Sequence, residues 1–165
     1  MPKKKQSTTS SKKRAGRANA SRATKHAPGL AIIAADFNKP IVHPMIEQAK
    51  KTAAQLGCTV TVVVTVPGSF EIPLVLDAVL QRDDVDIAVA LGYIEKGQTL
   101  HGEVMGHVVY RALLDLQLMY GKPVGLGIIG PGATLDQAQV RNVSYGEAAV
   151  AAAVKSLVCM QEAQG

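Results

Sequence analysis

The chain has 165 residues, 47% of them apolar, which is long enough for one folded domain with a full core. No apolar run approaches the ~20 residues of a membrane span, and the first 28 residues contain no Leu, Ile, Val or Phe. The sequence therefore predicts neither a membrane protein nor a secretory leader. The formal net charge of +5 is unevenly distributed, because residues 1–26 carry nine Lys or Arg and no acid, whereas the remainder carries nine basic and thirteen acidic residues. The folded part is expected to be mildly acidic.

Residues 1–27 are predicted to form a disordered basic tail, since they offer too little apolar surface to offset the entropy of ordering. Three roles fit this composition. The tail is an inert or assembly-related arm, it contacts nucleic acid through charge alone, or it is an organelle transit peptide. The absence of Leu and the clustering of basic residues weaken the transit interpretation. Cys58 and Cys159 lie far apart and are predicted to be buried thiols in a reducing compartment, so a cytoplasmic location is expected.

The remaining sequence, predicted as one domain over residues 28–162, alternates between apolar strands and helices. Strands are predicted over residues 30–34, 58–66, 86–92 and 123–129, and helices over residues 41–56, 72–80 and 101–120. Connections of this length imply parallel βαβ units. The fold class is therefore α/β, a doubly wound (flavodoxin-like) four-stranded parallel sheet covered on both faces by helices. Such a narrow sheet, with an Ala-rich last helix, predicts that copies of the chain associate.

The segment after the fourth strand carries turn and helix-start signals. Residues 130–132, Gly-Pro-Gly, are expected to break the strand. Thr134 with Gln137, and Ser144 with Glu147, each have the spacing of a capping box, in which a hydroxyl and a side chain three residues later satisfy helix-start donors. A short helix and a longer one to about residue 160 are predicted.

The carboxyl ends of the parallel strands share one edge of the sheet, where open α/β sheets bind ligands. His101 begins a helix there, close to Gly97 and Thr99. A helix N-terminus favours an anion such as phosphate, and an imidazole can take up a proton and return it. The pattern predicts proton transfer on a phosphorylated small molecule, although a solvated His at a helix start is an equally simple interpretation.

Two further side chains near this edge have alternative interpretations. Arg141 follows the short capped helix and is either a solvated surface residue or a bidentate phosphate ligand. Glu71 either caps the second helix or accepts hydrogen bonds from a polyol.

Four ordered motifs resemble the lumazine synthase family, and the resemblance covers residues 30–158. The motifs are Phe-Asn at 37–38, Pro-Gly-Ser-Phe-Glu-Ile-Pro at 67–73, Gly-Gln-Thr-Leu-His at 97–101 and Gln-Ala-Gln-Val-Arg at 137–141. Residues 127–134 and 143–146 look most like the archaeal-type branch.

The resemblance implies an enzyme of riboflavin biosynthesis, a transferase that uses no metal and no organic cofactor. It would condense 5-amino-6-(D-ribitylamino)uracil with 3,4-dihydroxy-2-butanone 4-phosphate to give 6,7-dimethyl-8-ribityllumazine, phosphate and water. It also implies a homopentamer, which in some members is stacked into a decamer or an icosahedral 60-subunit shell, with riboflavin synthase as a further partner.

The resemblance also implies a role for each matching residue. Phe37 would stack on the pyrimidine; Ser69, Phe70 and Glu71 would hold the ribityl chain; Tyr93, Ile94 and Glu95 would line the pyrimidine pocket; Gln98, Thr99 and Arg141 would bind phosphate; His101 would shuttle protons; and Leu126 would come from the neighbouring subunit.

The chain departs from the family pattern at three points. Glu95 occupies a usually aliphatic position, and a carboxylate there would either add a hydrogen bond or repel the substrate. Leu126 replaces an aromatic ring of many bacterial members, as in the archaeal type. A lysine that many bacterial members carry after the arginine is missing, so phosphate binding is expected to depend more on Arg141.

Two hypotheses compete with the enzyme. The first is a non-catalytic cage or binding protein on the same scaffold, whose basic tail contacts nucleic acid. The second is a flavodoxin-like flavin binder, which the scarcity of aromatic residues disfavours. The enzyme is the favoured interpretation.

Overall fold

A computed structural model describes residues 27–165, so the predicted tail lies outside the described residues except for Ala27. The strands are β1 (Gly29–Ala35), β2 (Thr59–Val66), β3 (Ile87–Glu95) and β4 (Val124–Ala133). The helices are α1 (Lys39–Gln55), α2 (Ile72–Leu80), α3 (His101–Tyr120), α4 (Leu135–Gln139) and α5 (Asn142–Gln164), and a 3-10 turn (Ser69–Glu71) precedes α2. Every predicted element is present, and α5 ends beyond the predicted limit.

The four strands form one parallel sheet in the order β2-β1-β3-β4, which confirms the predicted fold class. The chain first crosses from β1 to β2 on one side and then returns to place β3 on the other side of β1. The carboxyl ends of β1 and β3 therefore diverge into connections that leave in opposite directions. This is the point at which doubly wound sheets form a crevice for a ligand.

Helices cover both faces of the sheet, and the alternation of side chains along each strand separates two apolar clusters. Leu30 and Ile32 of β1 pack with α1 and α5, whereas Ala31 and Ile33 pack with α2 and α3. Strands β1 and β3 are buried on both faces, as predicted. The edge strand β2 is only partly covered, because it has a neighbour on one side only.

The end of β4 differs from the prediction. Residues 130–132 do not break the strand, which continues to Ala133. Gly130 has a φ of 95°, which lets the backbone turn within the strand, and Glu95 of β3 pairs with Ala133 after a register shift. Pairing with β3 therefore prevails over the local turn signal. The backbone N–H of Lys96 donates to the Ala133 carbonyl at 2.9 Å, which ties the following loop to this edge.

One of the two predicted capping boxes forms. The Thr134 hydroxyl accepts from the Gln137 backbone N–H at 3.3 Å, and the Gln137 side chain accepts from the Thr134 N–H at 3.0 Å. The prediction for Ser144 was wrong, because α5 begins at Asn142 and the Ser144 hydroxyl donates to the Arg141 carbonyl at 2.9 Å. With its hydroxyl turned back toward the preceding turn, Ser144 does not cap the helix.

Helix α5 is long and apolar enough to cross a membrane by length and composition, and 22% of its most apolar stretch is buried. Its buried residues, Asn142, Gly146, Ala149, Val150 and Ala153, share one face. That face packs on α1 and on the sheet so closely that a Cβ at Gly125 would lie 2.0 Å from the Ala149 carbonyl oxygen. A single apolar face of this kind is typical of a helix on the surface of a globular domain. Of the two cysteines, Cys58 is buried as predicted, but Cys159 is exposed on this helix.

Candidate functional site

A cavity of about 820 Å³ opens at the carboxyl edge of the sheet, between the turns that follow β1, β2 and β3 and the first turns of α3. Nine predicted site residues line it, namely Phe37, Ser69, Phe70, Glu71, Tyr93, Ile94, Glu95, Thr99 and His101. A second cavity of about 370 Å³ is formed by residues 95–100 with the start of α3 and the end of β4, and Gln98 lines this one. Leu126 and Arg141 line neither cavity.

Two aromatic rings lie on the wall of the larger cavity. Phe37 is 51% exposed and Phe70 is 61% exposed, although large apolar side chains are normally packed away from water. Asn38 holds the turn after Phe37 with a left-handed φ of 56°, and α1 begins at the next residue. Exposed rings beside a cavity provide flat apolar surfaces on which a planar ring can stack.

The 3-10 turn places Ser69 at the base of this wall. Ser69 is 4% exposed, and its hydroxyl has no hydrogen-bond partner among residues 27–165. Gly92 permits this approach, because a Cβ there would lie 2.6 Å from the Ser69 hydroxyl oxygen. An unpaired buried hydroxyl is costly, so Ser69 is well suited to receive a polar group of a ligand.

Glu71 occupies the position before α2 but makes no capping hydrogen bond with its side chain. No hydrogen bond or ion pair involves its carboxylate in the described part of the chain. The capping interpretation is therefore not supported, and both carboxylate oxygens are available to a ligand in the larger cavity.

Tyr93 contributes to the wall mainly as part of the core. Its ring is buried on the α1 and α5 face, and its hydroxyl donates to the Ala133 carbonyl at 3.0 Å. Burial raises the pKa of the Tyr93 hydroxyl, and the nearby charge of Glu95 raises it further. This hydroxyl is thus a neutral donor that joins β3 to the end of β4.

His101 is the first residue of α3, as predicted. Its backbone N–H donates to the Thr99 hydroxyl at 3.4 Å, and its exposed side chain has no partner among the described residues. Gly102 allows the helix start to approach the sheet, because a Cβ there would lie 3.1 Å from the Glu95 carbonyl oxygen. The imidazole therefore borders the cavity with both ring nitrogens available for proton transfer.

Arg141 lies on the wall of neither cavity. Its guanidinium donates to the Gln137 carbonyl at 2.9 Å, at the junction of α4 and α5. Leu126 lies on the edge strand β4 and is 49% exposed. The structure of one chain thus brings together ten of the twelve predicted residues around two adjoining cavities and leaves these two outside.

Sequence reasoning missed Lys96, which lines both cavities. The sequence feature that could have identified it is its position directly after Glu95, at the carboxyl end of a central strand. Among residues 27–165, no group of three or more His, Cys, Asp or Glu side chains is placed to hold a metal ion.

Comparison with known proteins identifies the family. The family model described as 6,7-dimethyl-8-ribityllumazine synthase matches residues 28–161. The chain belongs to this family. It is 48% identical over 126 residues to the 6,7-dimethyl-8-ribityllumazine synthase of Metallosphaera sedula, covering 76% of this chain and 83% of that protein.

Two other proteins with the same name give similar values. Identity is 44% over 136 residues with that of Methanopyrus kandleri, covering 82% of this chain and 96% of the relative. Identity is 46% over 126 residues with that of Methanocaldococcus jannaschii, covering 76% of this chain and 89% of the relative. These organisms are archaea, in agreement with the archaeal-type motifs. The family assignment, the fold class and the prediction that the chain is an enzyme are confirmed.

Proposed function

We propose that this chain condenses 5-amino-6-(D-ribitylamino)uracil with 3,4-dihydroxy-2-butanone 4-phosphate in the cavity at the carboxyl edge of the sheet. The products are 6,7-dimethyl-8-ribityllumazine, phosphate and water. The observation that carries this proposal is the unpaired imidazole of His101, at the start of α3, beside a cavity with two exposed aromatic rings. Membership of the family supports the reaction, and the cavity beside His101 is the place that we propose for it.

The chemistry requires little beyond orientation and one proton carrier. The amine of the pyrimidine substrate is itself the nucleophile, so no activated Ser, Cys or Lys is required. Its attack on the carbonyl group forms an imine and releases one molecule of water, after which phosphate is eliminated. The ribityl-bearing amine then attacks the carbonyl that this elimination leaves, and the ring closes with loss of a second molecule of water. His101 accepts a proton in one step and returns it in another, while the cavity walls hold the two substrates in contact.

In this proposal the pyrimidine substrate lies in the larger cavity, and the phosphate group of the butanone substrate lies in the smaller one. Phe37 stacks on the pyrimidine ring, and the wall formed by residues 93–95 borders its edge. Ser69, Phe70 and Glu71 hold the ribityl chain, whose hydroxyls match an unpaired hydroxyl and an unpaired carboxylate. Gln98 and Thr99 bind the phosphate, where the loop of the smaller cavity leads into α3. No cofactor takes part in this proposal.

A neighbouring subunit completes the site. Leu126 and Arg141 lie outside both cavities of their own chain, yet Leu126 is half exposed on an edge strand. Leu135, Val140 and Tyr145 are also exposed in the elements that follow β4, so a second copy has apolar surface to bury. We propose a cytoplasmic homopentamer, alone or stacked into a decamer or a 60-subunit shell, in which Leu126 and Arg141 reach the adjacent subunit's cavity. Light scattering of the purified full chain measures its mass and tests this assembly.

The activity is tested by mixing both substrates with the full-length protein and following the absorbance of the lumazine product. His101→Ala is expected to lower kcat by about 100-fold, a typical loss for a general acid–base group. His107→Ala is the control, because His107 lies on the same helix, is 77% exposed and lines neither cavity.

Circular dichroism of both variants checks that neither substitution unfolds the chain. Failure of the folded wild-type protein to form product would contradict the proposed reaction. A wild-type rate that His101→Ala leaves intact would contradict the role of the imidazole alone.

A further inference from the structure

The smaller cavity contains one positively charged side chain, and nothing above assigns it a role. Lys96 is the only Lys or Arg on the walls of the two cavities formed by the described residues. We propose that Lys96 is a further binding residue for the reaction and holds the phosphate group of the butanone substrate. This proposal rests on the proposed function, because it takes the phosphate-bearing substrate from it.

The backbone of Lys96 is fixed although its side chain is free. Its N–H donates to the Ala133 carbonyl at 2.9 Å, and the preceding residue, Glu95, is paired with Ala133 in the sheet. The start of α3 packs against the Glu95 carbonyl through Gly102. The loop is thus held to β4 on one side and to α3 on the other, which fixes the backbone of Lys96 where its residue lines both cavities.

The ammonium group has no competing partner. Among residues 27–165, no hydrogen bond or ion pair involves the Lys96 side chain. The carboxylates of Glu95 and Glu103 line the same cavity but do not pair with it. Two carboxylates disfavour an anion, so a phosphate group with two charges requires a cation to offset them. Within one chain, Lys96 is the cation in position to do so.

Arg141 does not fill this role within its own chain. Its guanidinium is engaged with the Gln137 carbonyl and lies on neither cavity wall. If a neighbouring subunit brings Arg141 to the phosphate, Lys96 adds a second cation for a group that carries up to about two negative charges. Lysine suits an exposed loop, since its compact ammonium group carries three donors on a flexible stem.

Steady-state kinetics with each substrate varied in turn test the proposal. Lys96→Met is expected to raise KM for the butanone phosphate about tenfold, which is the loss of one charged contact, and to leave KM for the pyrimidine within about twofold. Lys96→Arg keeps the charge and is expected to stay within about threefold of the wild type for both substrates. Lys51→Met is the matched control, because Lys51 is exposed on α1 and lines neither cavity.

Titration of the full-length protein with inorganic phosphate provides a readout that needs no turnover. Lys96→Met is expected to weaken phosphate binding about tenfold, whereas Lys51→Met leaves it unchanged. Equal phosphate affinity and equal KM values in the wild type and Lys96→Met would overturn the proposal. An inactive wild type whose phosphate affinity still depends on Lys96 would instead overturn the proposed reaction and leave the anion site standing.

Discussion

The two edges of the sheet differ in how many of their polar side chains have a partner within the chain. At the amino edge they are paired. The Asp86 carboxylate accepts from the Gly29 N–H at 2.7 Å, and Arg82 donates to the Asp84 carboxylate at 2.7 and 2.8 Å. The ammonium group of Lys122 donates at 2.8 Å to the Arg82 carbonyl and to a second carbonyl at the end of α2. These contacts join the start of β1 to the residue before β3, and the residues before β4 to the end of α2.

At the carboxyl edge Asp36 pairs with Lys39 at 3.1 Å, but several groups on the cavity walls are left free. In the described part of the chain, the side chains of Glu71, Glu95, Lys96 and His101 have no polar partner, and the buried Ser69 hydroxyl has none. Only the Ser69 hydroxyl among them is buried, and a buried hydroxyl without a partner lowers stability. The charged side chains reach water and are not tied to other protein groups, so all five are available to a ligand at this edge. The paired groups of the amino edge therefore contribute to the stability of the fold, and the free groups of the carboxyl edge support the proposal that the chemistry takes place there.

The largest expected effect on stability comes from a glycine at the amino edge. A Cβ at Gly29 would lie 2.0 Å from the Asp84 carbonyl oxygen, so Gly29→Ala must displace backbone. We expect the free energy of unfolding to fall by about 2 kcal/mol or more. Urea unfolding at a fixed protein concentration measures it, because association also affects apparent stability.

Gly97 at the carboxyl edge is the matched control. A Cβ there would have its nearest neighbour at 3.8 Å, so Gly97→Ala is expected to change stability by less than about 0.5 kcal/mol. Equal decreases in the free energy of unfolding of Gly29→Ala and Gly97→Ala would contradict this comparison, since they would show that both edges are packed equally tightly.

A pair of lysines provides a smaller effect. Lys122→Met removes two charge-assisted hydrogen bonds and leaves two carbonyls at the end of α2 without this donor. We expect a loss of about 1 kcal/mol in urea unfolding, because the exposed Arg82 carbonyl can bind water instead, whereas the carbonyl of the buried Leu80 loses its donor. Lys96→Met, on the opposite edge, removes no such bond and is expected to unfold like the wild type. If Lys96→Met destabilised the protein more than Lys122→Met, the carboxyl edge and not the amino edge would be the one whose lysine contributes to stability.

The sequence predicts the elements of this fold because their signals are local. Apolar runs locate β1 and β3, and the start of α3 at His101 follows from the turn residues before it. The strand β4 could not be bounded in this way. Its continuation through residues 130–132 depends on pairing with β3, a partner about forty residues earlier, which no local turn signal reveals.

The site was predictable to the extent that its residues lie at or shortly after the carboxyl ends of strands. Glu95 ends β3, Phe37 lies in the turn after β1 and Glu71 in the turn after β2, and parallel strands bring these ends to one edge whatever the packing. Arg141 lies beyond two further elements, so its distance from the cavity depends on how α4 turns. Lys96 was overlooked because a lysine at the end of a strand is ordinarily a solvated residue. Only the structure shows that Lys96 lines both cavities, which is what makes it a candidate binding residue.

The smallest expected effect is a change in KM when the unpaired carboxylate of Glu95 is neutralised. Glu95 lines both cavities, so its carboxylate lies between the places proposed for the two substrates. Glu95→Gln keeps the shape of the side chain and removes the charge. We expect KM for the pyrimidine, which has several N–H donors, to rise about twofold, and KM for the butanone phosphate to fall about twofold because an anion is no longer repelled.

Opposite shifts from one substitution cannot arise from a general loosening of the site, which would raise both KM values. A fall in the pKa of Tyr93 in the same variant would verify that the charge was removed at the right place, since burial and the Glu95 charge together raise that pKa in the wild type. If neither KM changes while the Tyr93 pKa falls, Glu95 contacts neither substrate. Its carboxylate would then be free at this edge for a reason other than substrate binding, and the inference from unpaired groups to function would hold for Lys96 and His101 but not for every charge on the cavity wall.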